Sequence, residues 1–379
     1  MTKSLEALYY FFHPDYIELL PKESLLYRLL TEQRSEVAVW REYTNDCLEL
    51  ALRYELADAD LVARLRKDDW ESFTSTMNEL RCAKLLEDIC GINSLRWHPE
   101  GRRGKVGEFE LTLKGSDAPI FIEVKTVFPR YEDRLEGQIR SKLRSYTEKV
   151  PIPSFLSVTI KELGMAEDFS GRKFKNFLER ELIKLDLTNT TVVKASRMKL
   201  PDYLDDSTGL HLEIAVTPVS PDKLQNCHIG DLGFNELKPV ENEDYIRHSL
   251  KKAYVQLPKG QRPCLVILCS ETEFPIDEDD MLNALLGTLA FRITRSKNGT
   301  YVRDAQSIRK PDGFFQTKCN KKLSAVGLYR NRHRDERIKC TLEIYHNPFA
   351  VNPIDIKIFE DKGVRQLVKI NETEMGWSN

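Results

Sequence analysis

Residues 119–127, PIFIEVKTV, set a glutamate and a lysine in the middle of an apolar, β-branched run. That composition predicts a strand from the interior of a sheet. Side chains alternate along a strand, so Phe121, Glu123, Lys125 and Val127 share one face. Opposite charges two residues apart on such a face are costly to desolvate unless something pairs with them. A cation beside the carboxylate offsets that cost, and so does a plain Glu123–Lys125 contact. The chain therefore has to build a sheet with a charged site in it.

Just upstream, residues 106–113 (VGEFELTL) alternate, with Glu108 and Glu110 on one face and Phe109, Leu111 and Leu113 on the other. Lys114, Gly115, Ser116 and Asp117 have turn composition, which predicts an antiparallel hairpin. The hairpin brings Glu108 towards Glu123. Two carboxylates at close range repel, and Mg²⁺ is a common means of keeping both ionised. Glu110 shares the face of Glu108 and is the alternative ligand. Ahead of the hairpin, residues 73–91 (FTSTMNELRCAKLLEDICG) read as a helix. Three, four and seven positions after Glu79 stand Cys82, Ala83 and Leu86, so Glu79 faces the apolar stripe and the sheet. Each residue alone has a bland reading, as a surface Glu-x-Lys pair or a helix-flank glutamate. The four together point to a site.

A helical acid, an acid opening one strand and Glu-x-Lys on the next resemble the PD-(D/E)xK nuclease superfamily, the restriction-endonuclease-like fold. Glu108 matches the first strand acid, Glu123 the second, Lys125 the lysine, and Glu79 the helical glutamate of many members. Gly107 stands where the pattern has proline, and glutamate stands at 108 where aspartate is usual. The resemblance implies an α/β fold, a mixed central sheet flanked by helices. It also implies Mg²⁺ or Mn²⁺ held by Glu108, Glu123 and the backbone carbonyl of Val124. Lys125 would orient or deprotonate the attacking water, or stabilise charge on the phosphate. Glu79 is a candidate outer ligand or water-orienting group. Together these would make a catalytic set of Glu79, Glu108, Glu123 and Lys125, hydrolysing phosphodiester bonds with the metal as Lewis acid.

The net charge of −2 excludes a uniformly basic nucleic-acid coat, so any such contact has to come from local patches. Gly101, Arg102, Arg103, Gly104 and Lys105 immediately precede the first acidic strand and are placed to meet phosphates. Residues 330–337 (RNRHRDER) form a second basic stretch, read as a solvated loop. The eight cysteines are scattered without paired zinc spacing and read as reduced core residues. Cys227 and His228 lack the second pair that a zinc site needs. No apolar run approaches a membrane span and the first residues lack a signal-peptide pattern, so a cytoplasmic chain is expected.

The remaining segments predict a helical N-terminal region at 1–70, with helices at 24–30 and 37–52, a nuclease-like α/β domain at 71–350, and a C-terminal tail at 351–379. After the motif come a charged helix at 132–149, a strand at 154–160, a helix at 172–185 and a strand at 210–218. A helix at 245–257 then precedes a buried strand at 263–269. By the resemblance this pair is the second half of the core, which brings Lys252 and Gln256 towards nucleic acid; the plain reading keeps both on the helix surface. A helix is expected at 277–293, with Arg292 near its end as the helix dipole favours, and strands at 323–329 and 340–345. The resemblance implies a metal-dependent endonuclease acting on DNA, as in restriction, antiphage defence or repair, with room for a homo-oligomer or an activating partner subunit. The competing classes are a nuclease-fold binding or scaffold subunit without activity, and an RNA-directed nuclease.

Overall fold

The computed structural model describes every residue except 1–3, 23, 68, 100–107, 115–117, 129–130, 166–167, 186–197, 220–223, 235–241, 259–261, 272–274, 296–300, 372–373 and 379. The chain divides into two compact units, Met1–Phe128 with Glu241–Asn379, and Pro129–Val240. The boundaries expected near 70 and 350 both fall inside the first unit, and the second is inserted in sequence directly behind the Glu-x-Lys strand.

The first unit is mixed α/β. Its large sheet has eight strands in the order β1-β2-β3-β9-β12-β13-β14-β15. Strands β1 (Ile92–Trp97), β2 (Phe109–Leu113) and β3 (Ile120–Val127) form an antiparallel meander. Strands β9 (Cys264–Ser270) and β12 (Ala325–Arg334) continue it in parallel with β3. Six of the seven β9 residues are buried, because helices cover the sheet on both sides and leave no polar face. Alternation along β3 decides which core each side chain joins. Ile122 and Val124 enter a cluster with N-terminal helices α1 (Glu6–Phe11), α3 (Leu25–Thr31), α4 (Ser35–Arg53), α5 (Ala59–Leu65) and α6 (Trp70–Cys90). Phe121 and Val127 enter the opposite cluster, with α9 (Asn242–Gln256) and α10 (Glu278–Leu286). The N-terminal helices thus complete the core under the sheet. Between them, α2 (Pro14–Leu19) is amphipathic in a looser sense, with none of its residues fully buried.

Helix α6 positions Glu79. Asp69 caps its start by accepting from the backbone N–H groups of Glu71 and Ser72, and Gly91, with φ of 69°, ends it. Cys82, Ala83 and Leu86 are buried as the spacing predicts, and Glu79 is buried beside them.

Three expectations are corrected. The helix expected to reach 293 stops at Leu286, because Gly287 takes a φ of 103°, and residues after it form strand β10 (Leu289–Arg295), paired with β11 (Tyr301–Arg309). Arg292 is therefore a strand residue. The basic stretch at 330–337 is no loop: β12 runs to Arg334 and turns through Asp335 and Glu336, both at positive φ, into β13 (Arg337–His346). The C-terminal segment carries a short 3₁₀ turn (Ile356–Ile358) and strands β14 (Arg365–Lys369) and β15 (Met375–Ser378), which extend the main sheet.

The second unit has its own core under a five-stranded sheet, β5-β7-β4-β8 with β6 beside β7. Its strands are β4 (Ser154–Glu162), β5 (Met198–Lys199), β6 (Tyr203–Asp205), β7 (Leu210–Pro218) and β8 (Cys227–Phe234), with helices α7 (Tyr131–Thr147) and α8 (Gly171–Lys184). Gly171 lets the two helices meet, since a Cβ there would lie 2.0 Å from the Tyr146 ring. Among the described residues no helix is long and apolar enough to cross a membrane.

Candidate functional site

Strand register builds the site. Phe109 lies opposite Ile122, Glu110 opposite Phe121 and Leu111 opposite Ile120. Carrying that register one residue outward sets Glu108 level with Glu123, and side chains directly opposite share a face. Lys125 closes the group. Its Nζ lies 3.7 Å from Glu108 Oε1 and forms a tighter ion pair with Glu123 Oε1. Glu123 is fully buried, and among the described residues neither of its carboxylate oxygens makes a well-aligned hydrogen bond. Burial pushes its carboxyl up to about 7; Lys125 opposes the shift and the Glu108 carboxylate adds to it. Val124, the next residue, points into the opposite core and is buried.

Glu79 reaches the same electrostatic neighbourhood from α6. Burial first, then the Glu108 carboxylate, push its carboxyl up to about 8, against the pull of Arg64. Arg64 Nη1 donates to both Glu79 oxygens at 2.9 Å. Burial works against the Arg64 charge, but the Glu79 carboxylate outweighs it and the guanidinium is held above its ordinary range. Arg64 also pairs with Asp60 at 3.1 Å and meets His98 Nε2 at 3.4 Å. The backbone N–H of His98 donates to the Glu108 carbonyl at 3.0 Å, which ties β1 to the start of β2.

Glu110, the alternative ligand, is committed elsewhere. It pairs closely with Arg262 and lies 4.0 Å from Arg96. The structure thus favours Glu108 as the partner of Glu123. A polar link that the sequence did not suggest joins α6 to the ends of β3 and β9. Asn78 Nδ2 donates to Thr126 Oγ1 and to Glu271 Oε1, both at 3.2 Å, and Asn78 Oδ1 accepts from Arg81 at 2.9 Å. No local pattern marks Arg64, His98 or Glu271, since each meets the site through a long-range contact.

Protein-family models, curated proteins and solved structures offer no match to this chain.

The expected nucleic-acid contacts fare differently. Arg102, Arg103 and Lys105 lie outside the described residues. Lys252 is exposed on α9 and Gln256 is half-buried, and among the described residues neither is hydrogen-bonded or ion-paired to Glu79, Glu108, Glu123 or Lys125. Among the described residues no three His, Cys, Asp or Glu side chains gather at metal-ligand spacing. The set expected from sequence uses two carboxylates and a backbone carbonyl, and it is the two carboxylates that the hairpin brings together.

Proposed function

We propose that this chain is a metal-dependent endonuclease of the PD-(D/E)xK, restriction-endonuclease-like kind, hydrolysing phosphodiester bonds of DNA. The observation that carries the reading is the Glu108–Lys125–Glu123 cluster, in which two paired strands bring two carboxylates to one lysine and one carboxylate is wholly buried. The element order supports it: helix α6, the meander β1-β2-β3, then helix α9 and strand β9 parallel to β3.

The donor set suits a hard divalent cation. Carboxylate and carbonyl oxygens are the ligands that Mg²⁺ and Mn²⁺ prefer, and the buried Glu123 oxygens lack aligned hydrogen bonds that a cation would replace. Glu108, Glu123 and the Val124 carbonyl would hold the ion, which when bound supplies Lewis-acid polarisation of the phosphate and acidifies the attacking water. Lys125 Nζ, held between the carboxylates, orients that water or donates to a phosphate oxygen. Arg64 fixes the Glu79 carboxylate so that it faces the site from the helix side.

One observation favours a second reading. Lys125 contacts both carboxylates itself, which offsets part of their charge without a metal ion and fits a binding or scaffold subunit of the same fold. Incubating wild type and Lys125→Ala with single-stranded DNA, duplex DNA and RNA, in Mg²⁺, Mn²⁺ or EDTA, separates the two. The nuclease reading expects cutting of DNA by wild type alone and only with metal. Cutting that survives in EDTA or in Lys125→Ala rejects it, and RNA-only cutting reassigns the substrate.

A further inference from the structure

The far end of the large sheet holds a cavity that the catalytic reading leaves unused. Strand β15 closes the order β3-β9-β12-β13-β14-β15. It is five strands from Glu123, or roughly 24 Å at about 4.8 Å per strand. Strands β14 and β15 and helix α10 border a space of about 580 Å³. Small-ligand cavities run from about 300 to about 1,000 Å³. Leu282, Leu286, Phe315, Phe349, Met375 and Trp377 line it. Of these six, Phe315 is buried and the other five are half-buried, which leaves apolar surface open to the space.

The walls are fixed by their own hydrogen bonds. The Phe315 backbone N–H donates to the Leu285 carbonyl at 2.8 Å. The Phe349 backbone N–H donates to Asn347 Oδ1 at 3.0 Å, and Asn347 Nδ2 donates in turn to the Leu323 carbonyl at 2.8 Å. Trp377 Nε1 donates to Glu278 Oε1 at 2.8 Å, and the Arg365 guanidinium lies 4.1 Å from the centre of its ring. Walls held in this way do not collapse into the space, so the cavity is preformed.

The polar part of the lining is unbalanced. Arg309 and Lys369 stand against one carboxylate, Glu374, and two cations less one acid leave a charge of +1. Glu374 Oε2 already accepts from Asn371 at 2.9 Å. Arg309 Nη1 donates to neutral oxygens, the Gly287 carbonyl at 2.7 Å, the Leu282 carbonyl at 3.3 Å and Asn283 Oδ1 at 3.3 Å. Among the described residues neither Arg309 nor Lys369 is ion-paired. Burial holds the Arg309 guanidinium below its ordinary range, against the pull of Asp279. One anionic group at these two cations would supply the missing counter-charge, while an apolar body filled the space beside them.

We propose that this cavity binds a small amphipathic monoanion, an acyl or aryl body carrying one carboxylate, with the carboxylate on Arg309 and Lys369 and the body among Leu282, Leu286, Phe349 and Trp377. The site stands apart from the Glu108–Lys125–Glu123 cluster and goes beyond the nuclease reading.

Full-length protein titrated with anilinonaphthalene sulfonate, an aromatic monoanion that fluoresces in apolar surroundings, tests it, with decanoate and decanol as competitors. Wild type should bind the dye at one site, and decanoate should displace it at a concentration roughly tenfold or more below that of decanol. Lys369→Glu, a change on an exposed side chain, should weaken decanoate roughly tenfold and leave decanol unchanged. Leu282→Trp, which fills the cavity, should weaken both. Lys339→Glu, at an exposed lysine outside the cavity, is the matched control and should bind as wild type does; circular dichroism checks that each variant is folded. Equal displacement by decanoate and decanol, equal effects of Lys369→Glu and Lys339→Glu, or no dye and no decanoate bound by folded wild type overturns the site. Sedimentation of the same proteins covers the other occupant: a wild-type dimer that Leu282→Trp dissociates puts a second copy of the chain in the cavity and also overturns it. None of these readouts depends on cleavage, so failure of the nuclease reading leaves the site standing.

Discussion

Glu123 ties the stability of the metal-free protein to pH. Its carboxyl is buried on a sheet strand, and burial raises it from an ordinary 4.5 to about 7. A displacement of that size corresponds to on the order of 3 kcal/mol. Because the folded value is the higher one, the contribution is fully present below the unfolded value near 4.5 and is lost as pH rises through about 7. Urea denaturation in EDTA at about pH 5 and about pH 8.5 measures the loss, since the unfolded state releases the proton earlier. Glu123→Gln cannot titrate, so its stability should fall by roughly 3 kcal/mol less than wild type over the same interval. The comparison uses the pH dependence, because Gln also alters the contact with Lys125. Equal pH dependence in the two proteins would refute the reasoning. It would mean that Lys125, rather than burial, sets the protonation of Glu123.

Three further outcomes follow from the same contacts. Arg64→Ala leaves the buried Glu79 carboxylate without its two 2.9 Å bonds and should cost on the order of 2 kcal/mol in a urea melt; adding Glu79→Gln should recover part of it. Gly287→Ala, at a φ of 103°, should destabilise by about 2 kcal/mol or more, seen as a lower Tm. Under native conditions a thiol reagent should label the exposed Cys319 first, whereas Cys264, buried and pushed up to about 12, should react only on unfolding.

The hairpin was legible because its period of two is carried by consecutive residues. Phe109, Leu111 and Leu113 entered one core, and Glu108 stayed beside the Glu123 face. Glu79 was legible for the matching reason, since its helical neighbours at three, four and seven positions are buried. Arg64 and His98 were not, because their link to Glu79 and Glu108 depends on how α5 and β1 pack, which no local spacing encodes. The 277–293 segment misled because its apolar residues suit a helix until the backbone at Gly287 turns to a φ of 103°, after which alternation takes over. Strands β14 and β15 are short, five and four residues, and gain their place from pairing at the sheet edge more than from their own pattern. The inserted unit hid because its charge and apolar content resemble those of the flanking chain, leaving no compositional seam at 129 or 240.

If Glu108 and Glu123 hold one divalent cation, calorimetric titration of Mn²⁺ into wild type and Glu108→Ala will show it. Wild type should show a single binding event that is lost or greatly weakened in the variant, with the variant still folded. An equal heat in both proteins, or none in wild type, would mean that Lys125 faces the two carboxylates without a metal ion between them.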